Sequence, residues 1–180
     1  VICPADSVEV KLALKDAFRL SIPTYIRLGK KGEPLVHTTK PDFQIGKGIT
    51  MQEGTDVAFL SIGTMLPVAL GCAERLEEQK ISAKVISLHT VKPLDTELLR
   101  DLFTHYPVIA VLEEHGIAGG AGSAILEWGN QNRVDLNKLY CFGGPDRFLT
   151  ACGNQNEARQ EIGLTAENIT AIILQVINKI

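Results

Sequence analysis

The segment Val57-Ala-Phe-Leu-Ser-Ile62 decides the fold class of this chain. It is an almost unbroken apolar run of strand length, which is typical of strands that helices cover on both faces, as in parallel sheets. Gly63-Thr64 follows it and leads into a helical segment with Pro67 near its start. Proline costs little there, because the first N–H groups of a helix have no partner within it. The segment therefore predicts a buried strand followed by a helix over residues 65–79.

The same alternation continues toward the C-terminus. Apolar segments of strand length alternate with helical segments. We predict strands over 49–52, 82–88, 107–112 and 138–142. We predict helices over 96–105, 123–130, 156–162 and from Thr165 onward. Because parallel strands are joined by right-handed crossovers, this order predicts an α/β fold, a three-layer α/β/α sandwich with a mainly parallel sheet. We expect this domain to occupy residues 48–180.

The chain before residue 48 follows a different pattern, which looks like the end of another domain. We predict a strand that ends at Pro4, a helix that Asp6 or Ser7 caps and that runs to about Leu20, and a strand over Thr24–Leu28. The next segment, 29–47, is rich in glycine, proline and lysine and predicts an extended, exposed linker. The expected organisation is therefore a strand–helix–strand unit over 1–35, a linker over 36–47, and the α/β domain.

Composition excludes several classes of function. The 180 residues carry a net charge of −3, so the sequence gives no basic face for binding nucleic acid. No apolar run approaches the ~20 residues that a membrane-spanning helix needs. Four dispersed cysteines, Cys3, Cys72, Cys141 and Cys152, predict buried reduced thiols in a cytoplasmic protein. Cysteine and histidine show no metal-ligand spacing, so no metal site is expected.

A glycine-rich turn over residues 116–122 lies between a predicted strand and a predicted helix. Free N–H groups at a helix start can bind an anion, and Gly119, Gly120 and Gly122 are the candidates. The spacing matches neither a dinucleotide-binding fingerprint nor a P-loop. The alternative is that these glycines allow a tight turn and close packing of the helix on the sheet.

Charged residues at the ends of two predicted strands are further candidates. Arg27 can make a forked contact with a phosphate or carboxylate, or alternatively a surface salt bridge. Glu113, Glu114 and His115 end another strand, at the edge where open α/β sheets place their sites. A carboxylate beside an imidazole can perform acid–base work. Alternatively, these three residues fix the turn or face a neighbouring subunit.

Several motifs, in order along nearly the whole chain, resemble the thiamine-diphosphate enzymes of the transketolase superfamily. Pro4-Ala-Asp6, with Glu9 after it, and Pro23-Thr-Tyr-Ile-Arg-Leu-Gly29 resemble the end of the pyrimidine-binding domain of that family. The segments that resemble its C-terminal domain are Glu53–Ala69, Val85–Asp95, Val111–Ile125 and Gly163–Ile169. The resemblance makes residues 1–35 the last part of a pyrimidine-binding domain.

The resemblance implies that the intact protein is a transketolase, which moves a two-carbon ketol unit from a ketose phosphate to an aldose phosphate. Thiamine diphosphate would be its covalent carrier, with Mg²⁺ or Ca²⁺ on the diphosphate. Neither is expected on this chain alone, because the Gly-Asp-Gly motif and the activating glutamate of the family have no counterpart in it. In the family, an arginine matching Arg27 helps to bind the substrate phosphate. No catalytic residue and no metal ligand is carried over.

The resemblance also implies partners. We expect the upstream part of the same enzyme or an N-terminal subunit, a homodimer, and a phosphorylated sugar as substrate. Two alternatives share most of the architecture, namely 1-deoxyxylulose-5-phosphate synthase and the β subunit of a 2-oxo acid dehydrogenase. An alternative of another class is a stand-alone regulatory or interaction module.

Overall fold

The computed structural model describes residues 1–30, 32–150 and 153–179. Five strands form one sheet, and they are β1 (Ile49–Gln52), β2 (Val57–Ile62), β3 (Ala83–Ser87), β4 (Val108–Gly116) and β5 (Leu139–Gly144). The helices are α1 (Ser7–Leu20), α2 (Leu66–Glu77), α3 (Thr96–His105), α4 (Ala121–Asn132), α5 (Gln155–Glu161) and α6 (Ala166–Ile177). No helix in the described ranges is long and apolar enough to cross a membrane.

The sheet has the order β1-β3-β2-β4-β5 and is mainly parallel. β2 lies at its centre and pairs in parallel with β3 on one side and with β4 on the other, while β5 pairs in parallel with β4. Only the edge strand β1 runs antiparallel, against β3. The predicted fold class, an α/β sandwich with a mainly parallel sheet, is confirmed.

Strand β2 shows why its sequence is an unbroken apolar run. All six of its residues are buried. Val57 and Phe59 pack in the core between the sheet and helices α2 and α6. Ala58 and Leu60 pack in the opposite core, which α3 and α4 cover. Successive side chains point to opposite faces of a strand, so a strand covered on both faces has no polar face to show.

The N-terminal unit is less regular than expected. Asp6 caps α1 by accepting hydrogen bonds from the N–H groups of Val8 and Glu9, as the sequence indicates. The strands predicted before residue 5 and over 24–28 are reduced to isolated bridges, in which Ile2 pairs with Ile26 and with Thr90. These segments are β-rich in sequence, but among the described residues each finds a partner at one position only.

The segment 36–47 was expected to be exposed, and this expectation is wrong at several positions. His37 is only 6% exposed. Phe43 stacks on the buried His89, with ring centroids 4.0 Å apart. The carboxylates of Asp6 and Asp16 accept hydrogen bonds from backbone N–H groups of this segment. Glycine and proline exclude regular structure, but they do not determine whether an irregular segment packs.

A buried polar cluster, Glu9–His37–Ser87, joins α1, this segment and β3. The Glu9 side chain is fully buried and accepts hydrogen bonds from the Ala5 N–H at 2.7 Å and the Ser87 hydroxyl at 2.7 Å. His37 Nε2 lies 2.8 Å from the same carboxylate.

The division of the chain into 1–35, 36–47 and 48–180 stays a prediction.

Candidate functional site

An open cavity of about 950 Å³ lies at the carboxyl ends of β2 and β4. Helix α2 follows β2 and packs on one face of the sheet, whereas α4 follows β4 and packs on the other. The crossovers therefore diverge between these two neighbouring strands, and open α/β sheets place their ligand sites at such a point. The polar residues that face the cavity include Arg27, Thr64, Glu114, Gln155 and Arg159.

Glu114 is the centre of the polar contacts in this cavity. Its Oε2 accepts hydrogen bonds from the Thr64 hydroxyl at 2.7 Å, from Arg159 Nη2 at 2.6 Å and from Gln155 Nε2 at 2.9 Å. Burial alone would raise the pKa of this carboxyl, but the donors and the charge of Arg159 outweigh burial and lower it. Glu114 is therefore ionised at neutral pH.

Arg27 lies at the rim of the cavity with an exposed side chain. Its Nη2 donates a hydrogen bond of 2.8 Å to the backbone carbonyl of Glu114. Within residues 1–30, 32–150 and 153–179, no carboxylate lies at ion-pair distance from this guanidinium. The surface salt bridge that was the alternative for Arg27 is therefore not formed among these residues, and most of its N–H donors face the cavity and solvent.

Arg159 brings a second guanidinium to the same cavity from helix α5. Besides Glu114, its Nη2 contacts the Thr64 carbonyl at 3.0 Å and the Thr64 hydroxyl at 3.2 Å. Its Nε is buried and has no hydrogen-bond partner in the described structure. Two arginines therefore lie beside the cavity, and both contact Glu114. Its carboxylate holds Arg159, and its backbone carbonyl holds Arg27.

The glycine-rich turn already contains an anion of the chain itself. The buried Glu113 carboxylate accepts hydrogen bonds from the N–H groups of Ala121 at 2.8 Å and Gly122 at 2.9 Å. These are the groups at the start of α4 to which an external anion would bind. The anion site proposed at Gly119, Gly120 and Gly122 thus coincides with the cap that Glu113 forms.

The same glycines are needed for close packing, which was the alternative interpretation of the turn. A Cβ atom at Gly122 would lie 2.7 Å from the Cys141 sulfur, and one at Gly120 would overlap the Glu113 carboxylate. Gly119 has a φ of +78°, a conformation that residues with a side chain rarely adopt. The turn lets α4 approach the sheet and the carboxylate closely.

The structure separates the three residues at the end of β4. Glu113 caps α4, Glu114 points into the cavity, and the exposed His115 places its Nδ1 2.8 Å from the Gly116 carbonyl oxygen. The hydrogen bonds of Glu114 go to other residues, so the structure shows no contact that would make it and His115 an acid–base pair. Glu113 fixes the turn, as one of the alternatives held.

The cysteines behave as protonated thiols. Burial raises the pKa of Cys72 to about 12 and that of Cys141 to about 11, and it raises the pKa of Cys3 as well. A thiol with a raised pKa is a poor nucleophile at neutral pH. All three are free of disulfides, and Cys152 lies outside the described residues.

The described residues do not fit a bound diphosphate with its metal. In the ranges 1–30, 32–150 and 153–179, no group of three histidine, cysteine, aspartate or glutamate side chains is placed to hold a metal ion. The cations beside the cavity are Arg27, Lys30 and Arg159, which suit a phosphate monoester rather than a coordinated metal.

Sequence reasoning identified Arg27 and Glu114 but missed three of their neighbours, Thr64, Gln155 and Arg159. Glu114 and Arg159 are 45 positions apart in the chain, and no local pattern links them. The available signal was topological. Thr64 follows β2 and Glu114 ends β4, so adjacent parallel strands deliver both residues to the same edge of the sheet.

Comparison with known proteins places this geometry in a family. The sequence profile of the family "Transketolase, C-terminal domain" matches residues 46–169. The 1-deoxy-D-xylulose-5-phosphate synthase of Magnetococcus marinus is 37% identical to this chain. The match covers 98% of this chain and 29% of that enzyme. The enzyme of the same name from Vibrio campbellii is 35% identical over 94% of the chain and 26% of the enzyme.

A solved structure titled "Split gene transketolase, inactive beta4 tetramer" superposes with a TM-score of 0.86 at 31% identity. The match covers 98% of this chain and 56% of that one. This chain therefore spans less than a third of the curated relatives above and just over half of the solved neighbour. The profile covers most of the α/β domain, and the chain belongs to the transketolase C-terminal domain family.

Proposed function

We propose that this chain is the C-terminal part of a thiamine-diphosphate-dependent transketolase and that it presents Arg27 to the phosphate of a sugar substrate. The proposed reaction is transfer of a two-carbon ketol unit from a ketose phosphate to an aldose phosphate. The observation that carries the proposal is the exposed Arg27 guanidinium at the rim of the cavity, whose one hydrogen bond among the described residues goes to a backbone carbonyl. The 0.86 TM-score with a split-gene transketolase supports it.

The geometry of Arg27 suits a phosphate better than a structural ion pair. Its hydrogen bond to the Glu114 carbonyl fixes one nitrogen and leaves the other side of the planar fork for a ligand. Arginine binds phosphate oxygens through two parallel N–H donors, and such charge-assisted hydrogen bonds are about twice as strong as neutral ones. A phosphorylated substrate would thus be recognised at the end of its chain, away from the reacting carbon.

The cofactor belongs, in this proposal, to the rest of the enzyme. Thiamine diphosphate stabilises the carbanion that the reaction requires, and the protein supplies orientation and charge. The described residues offer no ligand set for the Mg²⁺ or Ca²⁺ that accompanies the diphosphate. We therefore assign the cofactor to an upstream part of the enzyme or to an N-terminal subunit, and we assign substrate binding through Arg27 to this chain.

The partner surface in this proposal is the outer face of the N-terminal unit. Phe18 is 83% exposed, Tyr25 is 65% exposed and Ile22 is 55% exposed. Several exposed apolar side chains of this size in one short stretch of chain are a feature of protein interfaces. The rest of the pyrimidine-binding domain would cover them, within a homodimer. The proposal places the enzyme in the cytoplasm, where thiols stay reduced.

A second candidate function is that of 1-deoxy-D-xylulose-5-phosphate synthase, the name carried by the relatives that are 37% and 35% identical. A phosphate-binding arginine suits both enzymes. A 2-oxo acid dehydrogenase gives Arg27 no phosphate to bind, and a stand-alone module gives the cavity no substrate. Assaying the intact enzyme with a ketose phosphate and, separately, with pyruvate, each together with an aldose phosphate as acceptor, distinguishes transketolase from 1-deoxy-D-xylulose-5-phosphate synthase. Turnover of the ketose phosphate supports transketolase, and turnover of pyruvate contradicts it.

Substitution of Arg27 tests the proposed function. In the intact enzyme, Arg27→Ala is expected to raise KM for a phosphorylated sugar by one or two orders of magnitude, the loss expected for a charge-assisted contact. Arg19→Ala is the matched control, because Arg19 is an exposed arginine of α1 that pairs with Asp16 and does not line the cavity. An unchanged KM in Arg27→Ala would contradict the role in phosphate binding.

A further inference from the structure

We infer that Glu114 is a positioning residue for substrate specificity, because its side chain fixes the end of β4 and its backbone carbonyl orients Arg27 toward the substrate phosphate. The inference rests on the proposed function and deepens it. Through Glu114, the C-terminal domain would help the enzyme to distinguish phosphorylated from unphosphorylated substrates. Glu114 itself is not required to touch the substrate.

The end of β4 is weakly held by backbone pairing. The parallel ladder between β2 and β4 ends at the pair Ile62 and Glu113. On the other side, the register between β4 and β5 shifts between Leu112 and Gly116. Glu114 thus lies in a break of the ladder on both sides. Its backbone carbonyl cannot take its position from regular strand pairing alone.

Side-chain contacts hold Glu114 in place instead. Its carboxylate accepts hydrogen bonds from three residues of two elements, namely from Thr64 after β2 and from Gln155 and Arg159 of α5. The contact with Thr64 lies on the same strand end as the Arg27 contact. Because the carboxylate and the carbonyl belong to one residue, a shift of the side chain moves the acceptor that orients Arg27.

The charge of Glu114 also sets the field in the cavity. It pairs with Arg159, which is only 11% exposed, and so offsets a cation that would otherwise lie unpaired beside the site. A glutamine keeps the shape, but it loses the charge and directs an amide N–H₂ toward donors that need acceptors. We therefore expect Glu114→Gln to displace the strand end and loosen the orientation of Arg27.

The test compares two acceptors in the intact enzyme, glyceraldehyde 3-phosphate and glyceraldehyde. For Glu114→Gln, we expect KM for the phosphorylated acceptor to rise about tenfold, with kcat and the KM for glyceraldehyde nearly unchanged. A purely structural defect would lower activity toward both acceptors alike. The matched control is Glu167→Gln, which removes the carboxylate of an exposed arginine–glutamate pair, Arg75–Glu167, between α2 and α6.

A second variant keeps the test decisive if Glu114→Gln fails to fold. Gln155 is exposed and donates to both oxygens of the Glu114 carboxylate, so Gln155→Ala loosens the carboxylate without disturbing the core. We expect a rise of about threefold in KM for the phosphorylated acceptor only.

Arg27→Ala, measured in parallel, separates the two claims. If it loses the preference for the phosphorylated acceptor while Glu114→Gln and Gln155→Ala retain it, the positioning role is overturned and the proposed function stands. If Arg27→Ala itself retains the preference, the proposed function fails and the positioning role fails with it. Loss of the preference in Arg27→Ala and in either of the other two variants supports both claims.

Discussion

The N-terminal unit and the α/β domain bury their apolar side chains to very different extents. Of the twelve large hydrophobic residues that are exposed in the described structure, eight lie within 1–35, whereas every residue of β2 is buried. Two cores, one on each face of the sheet, lie mainly in the α/β domain, and Ala5 and Cys3 of the N-terminal unit each join one of them. The N-terminal unit leaves many of its large apolar side chains exposed, and in the proposed function another part of the enzyme covers them.

The contact between the N-terminal unit and the α/β domain includes buried polar groups. Glu9, His37 and Ser87 meet there as a buried polar cluster, with the Glu9 side chain fully buried. Such clusters contribute less than apolar packing, but they are costly to break because a buried charge is then left without a partner. These directional contacts hold the N-terminal unit to the sheet together with the apolar packing of Cys3 and Ala5.

The largest expected difference between the two regions comes from truncating one apolar residue in each. Leu60 of β2 is fully buried, so Leu60→Ala is expected to lower the free energy of unfolding by about 2–5 kcal/mol. Phe18, at 83% exposure, is expected to tolerate Phe18→Ala within about 0.5 kcal/mol in this chain. Urea unfolding measures both. Equal losses in the two variants would contradict the contrast between the regions.

Breaking the buried Glu9–His37–Ser87 cluster is expected to have the next largest effect on stability. His37→Gln removes one of the three described partners of the buried Glu9 carboxylate, the one that can carry a positive charge, and we expect a loss of about 2–4 kcal/mol in unfolding free energy near pH 6. The hydrogen bond with Glu9 raises the pKa of His37 above its ordinary value, outweighing burial, and the charge of Asp6 adds to the rise.

The sign of the pH dependence follows from that raised pKa. A group whose pKa is higher in the folded state stabilises the fold fully below the unfolded pKa, about 6.5 for histidine. This stabilisation is lost as the pH rises through the folded pKa. The difference between wild type and His37→Gln should therefore shrink as the pH rises above about 6.5. His105→Gln, which alters an exposed pair with Asp101, is the control. A difference that grows with pH would refute the assignment.

A smaller effect on stability is expected for substitutions within the glycine-rich turn. These substitutions test whether its glycines are needed for packing. A Cβ at Gly122 would lie 2.7 Å from the Cys141 sulfur, so Gly122→Ala is expected to cost about 1–3 kcal/mol. Gly116 of the same turn has no atom within 4 Å of such a Cβ, so Gly116→Ala is expected to change stability by about 0.5 kcal/mol or less. Thermal unfolding of both variants measures the contrast, and equal costs would argue against packing as the reason.

The smallest effect is expected at the exposed pair between Arg75 on α2 and Glu167 on α6. Exposed ion pairs gain little, because water and salt screen the charges. Glu167→Gln should leave the urea midpoint unchanged at physiological salt. A clear drop in the midpoint would show that α6 depends on this pair as well as on its apolar face.

The sequence predicted what local patterns encode. The apolar run of Val57–Ile62 matched β2 residue for residue, because burial on both faces leaves an unbroken signature. Asp6, one of the two predicted caps of α1, is also confirmed, since a cap is a contact between near neighbours in the chain. Strands that depend on distant partners were predicted less well. The segment 24–28 has strand composition but, among the described residues, forms one isolated bridge, at Ile26.

Side-chain pairings over long distances in the chain could not be predicted. The burial of His37 depends on Glu9, which is 28 positions away. The contact of Arg159 with Glu114 depends on where α5 packs after β5 ends. Arg27 was selected from its place at a strand end and from the family resemblance, but its contact with the Glu114 carbonyl required the fold. The candidate site was thus predicted in part, and the network that holds it was not.

The most direct measurement is a crystal structure of the intact enzyme with a phosphorylated sugar bound. We expect the phosphate oxygens to lie about 2.7–2.9 Å from the Arg27 guanidinium nitrogens, the distance of a charge-assisted hydrogen bond. Arg27 should keep its contact with the Glu114 carbonyl in that complex. A phosphate bound elsewhere, with Arg27 contacting only protein or solvent, would contradict the central role given to this residue.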